Sequence, residues 1–222
     1  MVFELDTKKL EFPHPSYAEG DGLLAVGGDL SVDRLLLAYS NGIFPWFDEL
    51  SPILWYAPNP RFVIDPRKIK ISKSMASVLR KNIFSFSIDR NFNAVIHHCA
   101  TMNRKDQAGT WITADMIDAY SKLASLGYAH SVEVWQNNLL VGGLYGVLIN
   151  GVFCGESMFS KVANASKAAL IYLAQEIELH LIDCQFHTSH LESMGGEYLS
   201  LTDYLAILTK KHNDESSISQ TF

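Results

Sequence analysis

The stretch AHSVEVWQNNLLVGGLYGVLINGVFCGESMFS, residues 129–160, decides the architecture. Two apolar runs, Ser131 to Trp135 and Leu139 to Ile149, flank Gln136-Asn137-Asn138, and Asn150-Gly151 opens a second tight turn into Val152 to Glu156. Asn and Gly tolerate the positive φ that short hairpin turns require, so the pattern predicts a three-stranded antiparallel meander. Gly142, Gly143 and Gly146 lie inside the middle strand, where glycine marks either a bulge or a closely approaching ligand.

Upstream of the meander, Thr113 stands at the N-cap of a predicted helix running to Leu126. Met116, Ile117, Tyr120, Leu123 and Ala124 share one face of it, and Gly127 closes it. Downstream, Asn164 is placed to cap a helix through Leu170, Leu173 and Ile177. Leu181 to Gln185 then reads as a strand and Thr188 to Met194 as a short helix stopped by Gly195-Gly196. Helix, three antiparallel strands, helix, strand, helix is the order of an α+β domain with a mixed sheet. The first 60 residues differ, being rich in Gly, Pro and aromatics around one helix capped by Ser31, with Leu35, Leu36 and Tyr39 inward and Gly42 as terminator. Three prolines bar a helix from Pro52 to Pro60. The expected organisation is a small N-terminal domain over 1–62, a catalytic-sized domain over 63–210 and a polar tail over 211–222.

With 222 residues, 48% of them hydrophobic and 19% charged, the chain has globular composition. No apolar run is long enough to cross a bilayer, and Met1 to Leu10 mixes Glu4, Asp6, Lys8 and Lys9, so a cytoplasmic protein is expected. Cys99, Cys154 and Cys184 are an odd number without C-x-x-C spacing, which predicts reduced thiols. The net charge of -6 hides a split: Arg61 to Lys105 carries ten Lys/Arg against two acids, the remainder eight against 22. Arg67, Lys68, Lys70, Lys73, Arg80 and Lys81 are dense enough to neutralise several backbone phosphates, or they form a solvated helix face.

Nucleotide-hydrolysis, dinucleotide and hydrolase-elbow motifs are absent from the sequence. His97-His98-Cys99 and the His187/His190 pair lack the matched pairs of a closed metal site, and no metal is expected. Cys184 beside His187 has the composition of a nucleophile and base, yet strand alternation turns it from the face of Asp183 and Gln185, favouring a buried structural thiol. Asp183 and Gln185, at i and i+2, meet Glu156 if their strands are neighbours. Such a carboxylate is a paired structural acid, a general base or a receiver of cations. Trp46 and Trp111 sit in turn contexts, where a ring either stacks on a base or packs between domains.

These residues resemble one family. GLLAVGGDLSVDRLLLAYSNGIFPW (22–46), GTWIT (109–113), FCGESMFS (153–160), NASKAAL (164–170), LIDCQ (181–185) and HLESMGG (190–196) are similar, in order, to the leucyl/phenylalanyl-tRNA-protein transferases. The resemblance implies a small N-terminal α/β domain followed by an acetyltransferase-like (GNAT-like) domain with a mixed sheet. It implies transfer of Leu or Phe, with Met a further candidate donor, from aminoacyl-tRNA to the α-amine of proteins beginning with Arg or Lys, as in the bacterial N-degron pathway. Trp46 and Trp111 match positions for the terminal adenosine, and Leu144, Phe153, Met158, Leu170 and Leu173 match the aminoacyl pocket, Leu144 and Leu173 as substitutions. Glu156, Asp183 and Gln185 match the site of peptide formation, with Asp183 expected to take the proton. The basic stretch would hold the tRNA backbone. Aminolysis of an activated ester needs no cofactor, which agrees with the missing motifs. Two alternatives remain, a coenzyme-A-dependent N-acetyltransferase, which should show a glycine-rich loop opening a helix, and a non-catalytic tRNA-binding module.

Overall fold

The computed structural model describes residues 1–102 and 112–210. Trp111 and the polar tail over 211–222 lie outside the described residues. The chain begins with β1 (Phe3–Leu5), β2 (Leu23–Gly27), α1 (Val32–Ser40), β3 (Phe44–Pro45) and β4 (Leu54–Tyr56). These strands form a sheet of order β1-β2-β4-β3, parallel between β1 and β2 and otherwise antiparallel.

A second, seven-stranded sheet starts with β5 (Arg61–Ile64). Then come α2 (Lys73–Arg80), β6 (Ser85–Ile88), α3 (Phe92–Thr101), α4 (Ala114–Ser125), β7 (Ala129–Gln136), β8 (Leu139–Ile149) and β9 (Val152–Ser160). The chain continues through α5 (Ala165–Glu176), β10 (Leu181–Gln185), α6 (Ser189–Ser193), β11 (Glu197–Leu199) and α7 (Leu201–Leu208). Strand order is β11-β5-β10-β9-β8-β7-β6, with β9 and β10 parallel and every other pair antiparallel. The fold is α+β with a mixed sheet, as the order of elements predicts.

The meander forms because its turns are chemically suited to it. Asn137 and Asn138 take φ of 51° and 61°, and Asn150 and Gly151 take 49° and 76°. β9 runs on past the expected Glu156 to Ser160, paired with β8 throughout. The strand glycines answer to the chain itself. A Cβ at Gly142 would stand 2.5 Å from the Ala165 Cβ of α5, and one at Gly146 2.3 Å from the Cys154 carbonyl, where the register also shifts. Asn164 does not cap α5 as expected: it sits at the N-cap in the left-handed region, φ 70°, with no side-chain cap hydrogen bond.

Alternation on the strands divides the core in two. One face of the large sheet, with Tyr145, Val147 and Cys154, packs on α3, α4, α7 and the N-terminal sheet through Tyr39, Phe44, Trp55 and Tyr204. The other, with Leu144, Phe153 and Ile182, is covered by α2, α5 and the segment around α6. Among the described residues no helix is long and apolar enough to cross a membrane.

Candidate active site

β9 and β10 pair only from Val152 to Cys154 and from Leu181 to Asp183. Beyond that point β10 bulges, with Gln185 forced to φ 63°, while β9 continues along β8. The two strands part, and a cavity of about 570 Å³ opens between them. Its walls are Leu144, Phe153, Met158, Leu170 and Ile182, with Trp46 and Phe186 in the lining and the polar groups Glu156, Asp183 and Gln185 gathered in it. Trp46 follows β3, is 38% exposed, and leans on Phe186 and Tyr56 at centroid distances of 5.2 and 5.5 Å. Leu173 is fully buried in the core beside the pocket and does not line it.

Glu156 is buried but fully hydrogen-bonded. Its Oε1 accepts from the Tyr39 hydroxyl (2.7 Å) and from Gln185 Nε2 (2.9 Å), and its Oε2 from the Tyr120 hydroxyl (3.2 Å). Burial pushes its pKa up to about 7; the two tyrosine hydrogen bonds oppose the rise and the nearby Asp183 charge adds to it. Asp183 has a different setting. Its carboxylate oxygens lie 3.1 and 3.2 Å from Arg61 Nε, and it accepts from the Tyr204 hydroxyl (2.9 Å) and the Gln185 backbone N–H (2.8 Å). Arg61 is 1% exposed, donates from Nη2 to the Gly42 carbonyl (2.6 Å), and lies between the rings of Phe44 and Tyr204 at 4.9 and 4.8 Å. Burial pulls the Arg61 pKa down, but the Asp183 charge together with Tyr204 and Cys154 raises it on balance, and the guanidinium stays charged.

Three sequence expectations change. Asp183 and Gln185 do meet Glu156's surroundings, but through a bulge rather than through simple alternation: Gln185 turns to Glu156 while Asp183 turns to Arg61. Cys184 is not sealed in the core; it is partly exposed and lines the pocket. Burial first and the Asp183 charge second push its thiol up, which favours the protonated, non-nucleophilic form. Arg61, counted with the basic segment, is an internal ion-pair partner. Of the rest, Arg67 and Lys68 lean on Asp65 at 2.9 and 3.4 Å, and the Arg67 hydrogen bonds hold that carboxyl at about 2. Lys70, Lys73, Arg80 and Lys81 are exposed.

Sequence reasoning missed Arg61, Tyr120 and Tyr204 as site residues and read Tyr39 as core. Tyr39 and Tyr120 occupy helix faces that are apolar in pattern, and Arg61 finds its partner 122 residues away, so nothing local marks them.

An apolar cavity that ends on a hydrogen-bonded carboxyl suits seating and positioning an acyl group, the requirement of an α+β acyltransferase. A family model described as leucyl/phenylalanyl-tRNA protein transferase matches residues 63–209, and a model of that family's N-terminal domain matches 28–59. The leucyl/phenylalanyl-tRNA–protein transferase of Syntrophus aciditrophicus is 55% identical over 206 residues, covering 91% of this chain and 86% of the relative. Those of Syntrophobacter fumaroxidans and Flavobacterium psychrophilum are 54% and 51% identical, covering 94% and 92% of this chain and 90% and 98% of theirs. Among solved structures, a GCN5-related N-acetyltransferase from Kribbella flavida aligns with TM-score 0.36 and 8% identity, over 73% of this chain and 58% of its own. This chain belongs to the leucyl/phenylalanyl-tRNA–protein transferase family.

Proposed function

We propose that this protein transfers Leu or Phe from aminoacyl-tRNA to the α-amine of proteins beginning with Arg or Lys, a step that marks them for degradation in an N-degron pathway. The observation that carries the reading is the apolar cavity closing on Glu156 and Gln185. Leu144, Phe153, Met158 and Leu170 would enclose the donor's side chain, with Leu173 supporting Leu170 from behind. Trp46 and Trp111 would hold the terminal adenosine. The N-terminal sheet then serves as the unit that carries Trp46, and the large sheet, which begins at Arg61 rather than at the expected 63, as the unit that carries the chemistry.

The reaction is aminolysis of an ester. The amine nitrogen attacks the carbonyl carbon, the bond to the ribose oxygen breaks, and the amine's proton ends on that oxygen. Positioning supplies most of the rate. An α-amine has a pKa of about 7.7 to 8.0, so a carboxyl titrating near 7 is matched to relay its proton. Glu156 fits that role better than Asp183, whose charge is neutralised by Arg61 and whose Oδ1 instead fixes the bulge that aims Gln185 at Glu156. When ionised, Glu156 also suits a cationic first residue of the acceptor.

Incubation with labelled Phe-tRNA and peptides beginning with Arg, Lys or Gly tests the reading. Label should appear on the amine of the first two and not the third. Acetylation of the same peptides from acetyl-coenzyme A, without transfer from Phe-tRNA, would replace it.

A further inference from the structure

A second aromatic cluster lies outside the pocket. Phe186 and Thr188 line the cavity, but His187 between them turns the other way, onto Phe62 of β5 (centroids 5.0 Å) and Tyr198 of β11 (6.0 Å, rings within 18° of parallel). Phe62 is buried at 2% and meets Tyr198 edge-on at 5.0 Å; Tyr198 itself is 59% exposed. The His187 ring is held in place by Glu192 Oε2 at 3.1 Å from its Nε2. Tyr198 pairs with Phe62 in the ladder, and Gly196 lies so close to the Phe62 ring that a Cβ there would stand 2.4 Å away. Tyr198 and Phe62 thus stand on paired strand backbone, and His187, in the short connection from β10 to α6, is held against them by Glu192.

Its surroundings point to a ligand. The Lys70 N–H donates to the Met194 carbonyl (2.9 Å), and the Lys70 side chain runs beside Gly195, in the turn that leads to β11. Lys68 and Lys73 are exposed on the same segment. Glu197, the acid next to Tyr198, projects by alternation to the opposite face of the sheet. Flat exposed rings, exposed lysines and a pocket rim one residue away are the components of a single-strand nucleic-acid track, in which rings stack on bases and cations follow phosphates.

We infer that Tyr198 and His187 form a stacking platform for an unpaired base of the tRNA that precedes the terminal adenosine. This rests on the proposed function and adds a subsite to it. The terminal nucleotide would sit at Trp46, and the strand would leave over Thr188 and His187 toward Tyr198 and Lys70.

The test compares two donors, intact Phe-tRNA and 3′-phenylalanyl-adenosine, with an Arg-starting peptide. Loss of one stacked base by alanine substitution weakens single-strand binding by roughly 5- to 150-fold. Tyr198→Ala should raise KM for Phe-tRNA by that order and leave KM for phenylalanyl-adenosine unchanged, since the short donor does not reach the platform. Tyr198→Phe, which keeps the ring, should match wild type with both. The salt slope of Phe-tRNA binding should not change in Tyr198→Ala, because stacking releases no counterions. Wild-type KM for Phe-tRNA in Tyr198→Ala, or an equal loss with both donors, overturns the platform. Failure of the wild-type protein to use either donor would refute the proposed function itself, a distinguishable result.

Discussion

Arg61→Met is the perturbation with the largest calculable effect. It keeps an unbranched apolar chain between Phe44 and Tyr204 but removes the guanidinium that faces Asp183 at 3.1 Å and donates to Gly42. Arg61 and Asp183 are each 1% exposed, so water cannot substitute for the lost partner. Removing one member of a buried ion pair costs roughly 3–5 kcal/mol, most of it the uncompensated charge left behind. For a chain of this length each kcal/mol lowers Tm by about 2–4 °C, so a fall of roughly 6–20 °C is expected in thermal unfolding followed by circular dichroism. The double variant Arg61→Met/Asp183→Asn discharges the orphaned carboxylate and should recover roughly 1–3 kcal/mol of that loss. In that variant the amide oxygen, placed where Oδ1 stands, still accepts from the Gln185 backbone N–H, and the amide NH2, placed where Oδ2 stands, donates to the Tyr204 hydroxyl. A Tm within about 2 °C of wild type for Arg61→Met, or simple additivity in the double variant, would show that Asp183 does not depend on Arg61.

Four further outcomes are expected from the site and the basic segment. Glu156, pushed up to about 7 by burial, should add an ionisation below that of the amine to the pH profile of peptide kcat/KM between pH 5.5 and 9, and Glu156→Gln should leave the amine's alone. Because its folded pKa lies above the ordinary carboxyl value of 4.5, Glu156 favours the fold below that value and loses this contribution as pH rises through about 7; urea midpoints of Glu156→Gln should lack that decline. Phe153→Ala and Leu170→Ala remove pocket walls worth roughly 1.5–3 kcal/mol each, so selectivity for Phe over polar donors should drop by about tenfold or more in competition assays. Neutralising Lys70, Lys73, Arg80 and Lys81 should flatten the salt dependence of tRNA KM, whereas Arg67→Gln and Lys68→Gln should do less because Asp65 already neutralises part of their charge.

Much was determined by sequence alone. The meander was legible because Asn137-Asn138 and Asn150-Gly151 supply positive φ locally, and α4, α5, β10 and α6 because their period and terminators lie within a few residues of one another. The family was legible because GIFPW, GESMFS and LIDCQ are contiguous. Left out were α2, α3 and α7, short helices whose formation depends on one face being covered by distant strands, and β5, β6 and β11, which become strands by pairing with partners far away in the sequence.

The three carboxyl-site residues were visible as types, but their division of labour was not. Only the tertiary structure brings Arg61 to Asp183 across 122 residues and Tyr39 and Tyr120 to Glu156 across 117 and 36. A side chain's charge state depends on what surrounds it in three dimensions, and neither helix period nor strand alternation encodes that. The bulge at Gln185 makes the same point: alternation predicts one shared face, while the parting of β9 from β10 leaves the backbone free to turn and sends Asp183 to an ion pair and Gln185 to the pocket.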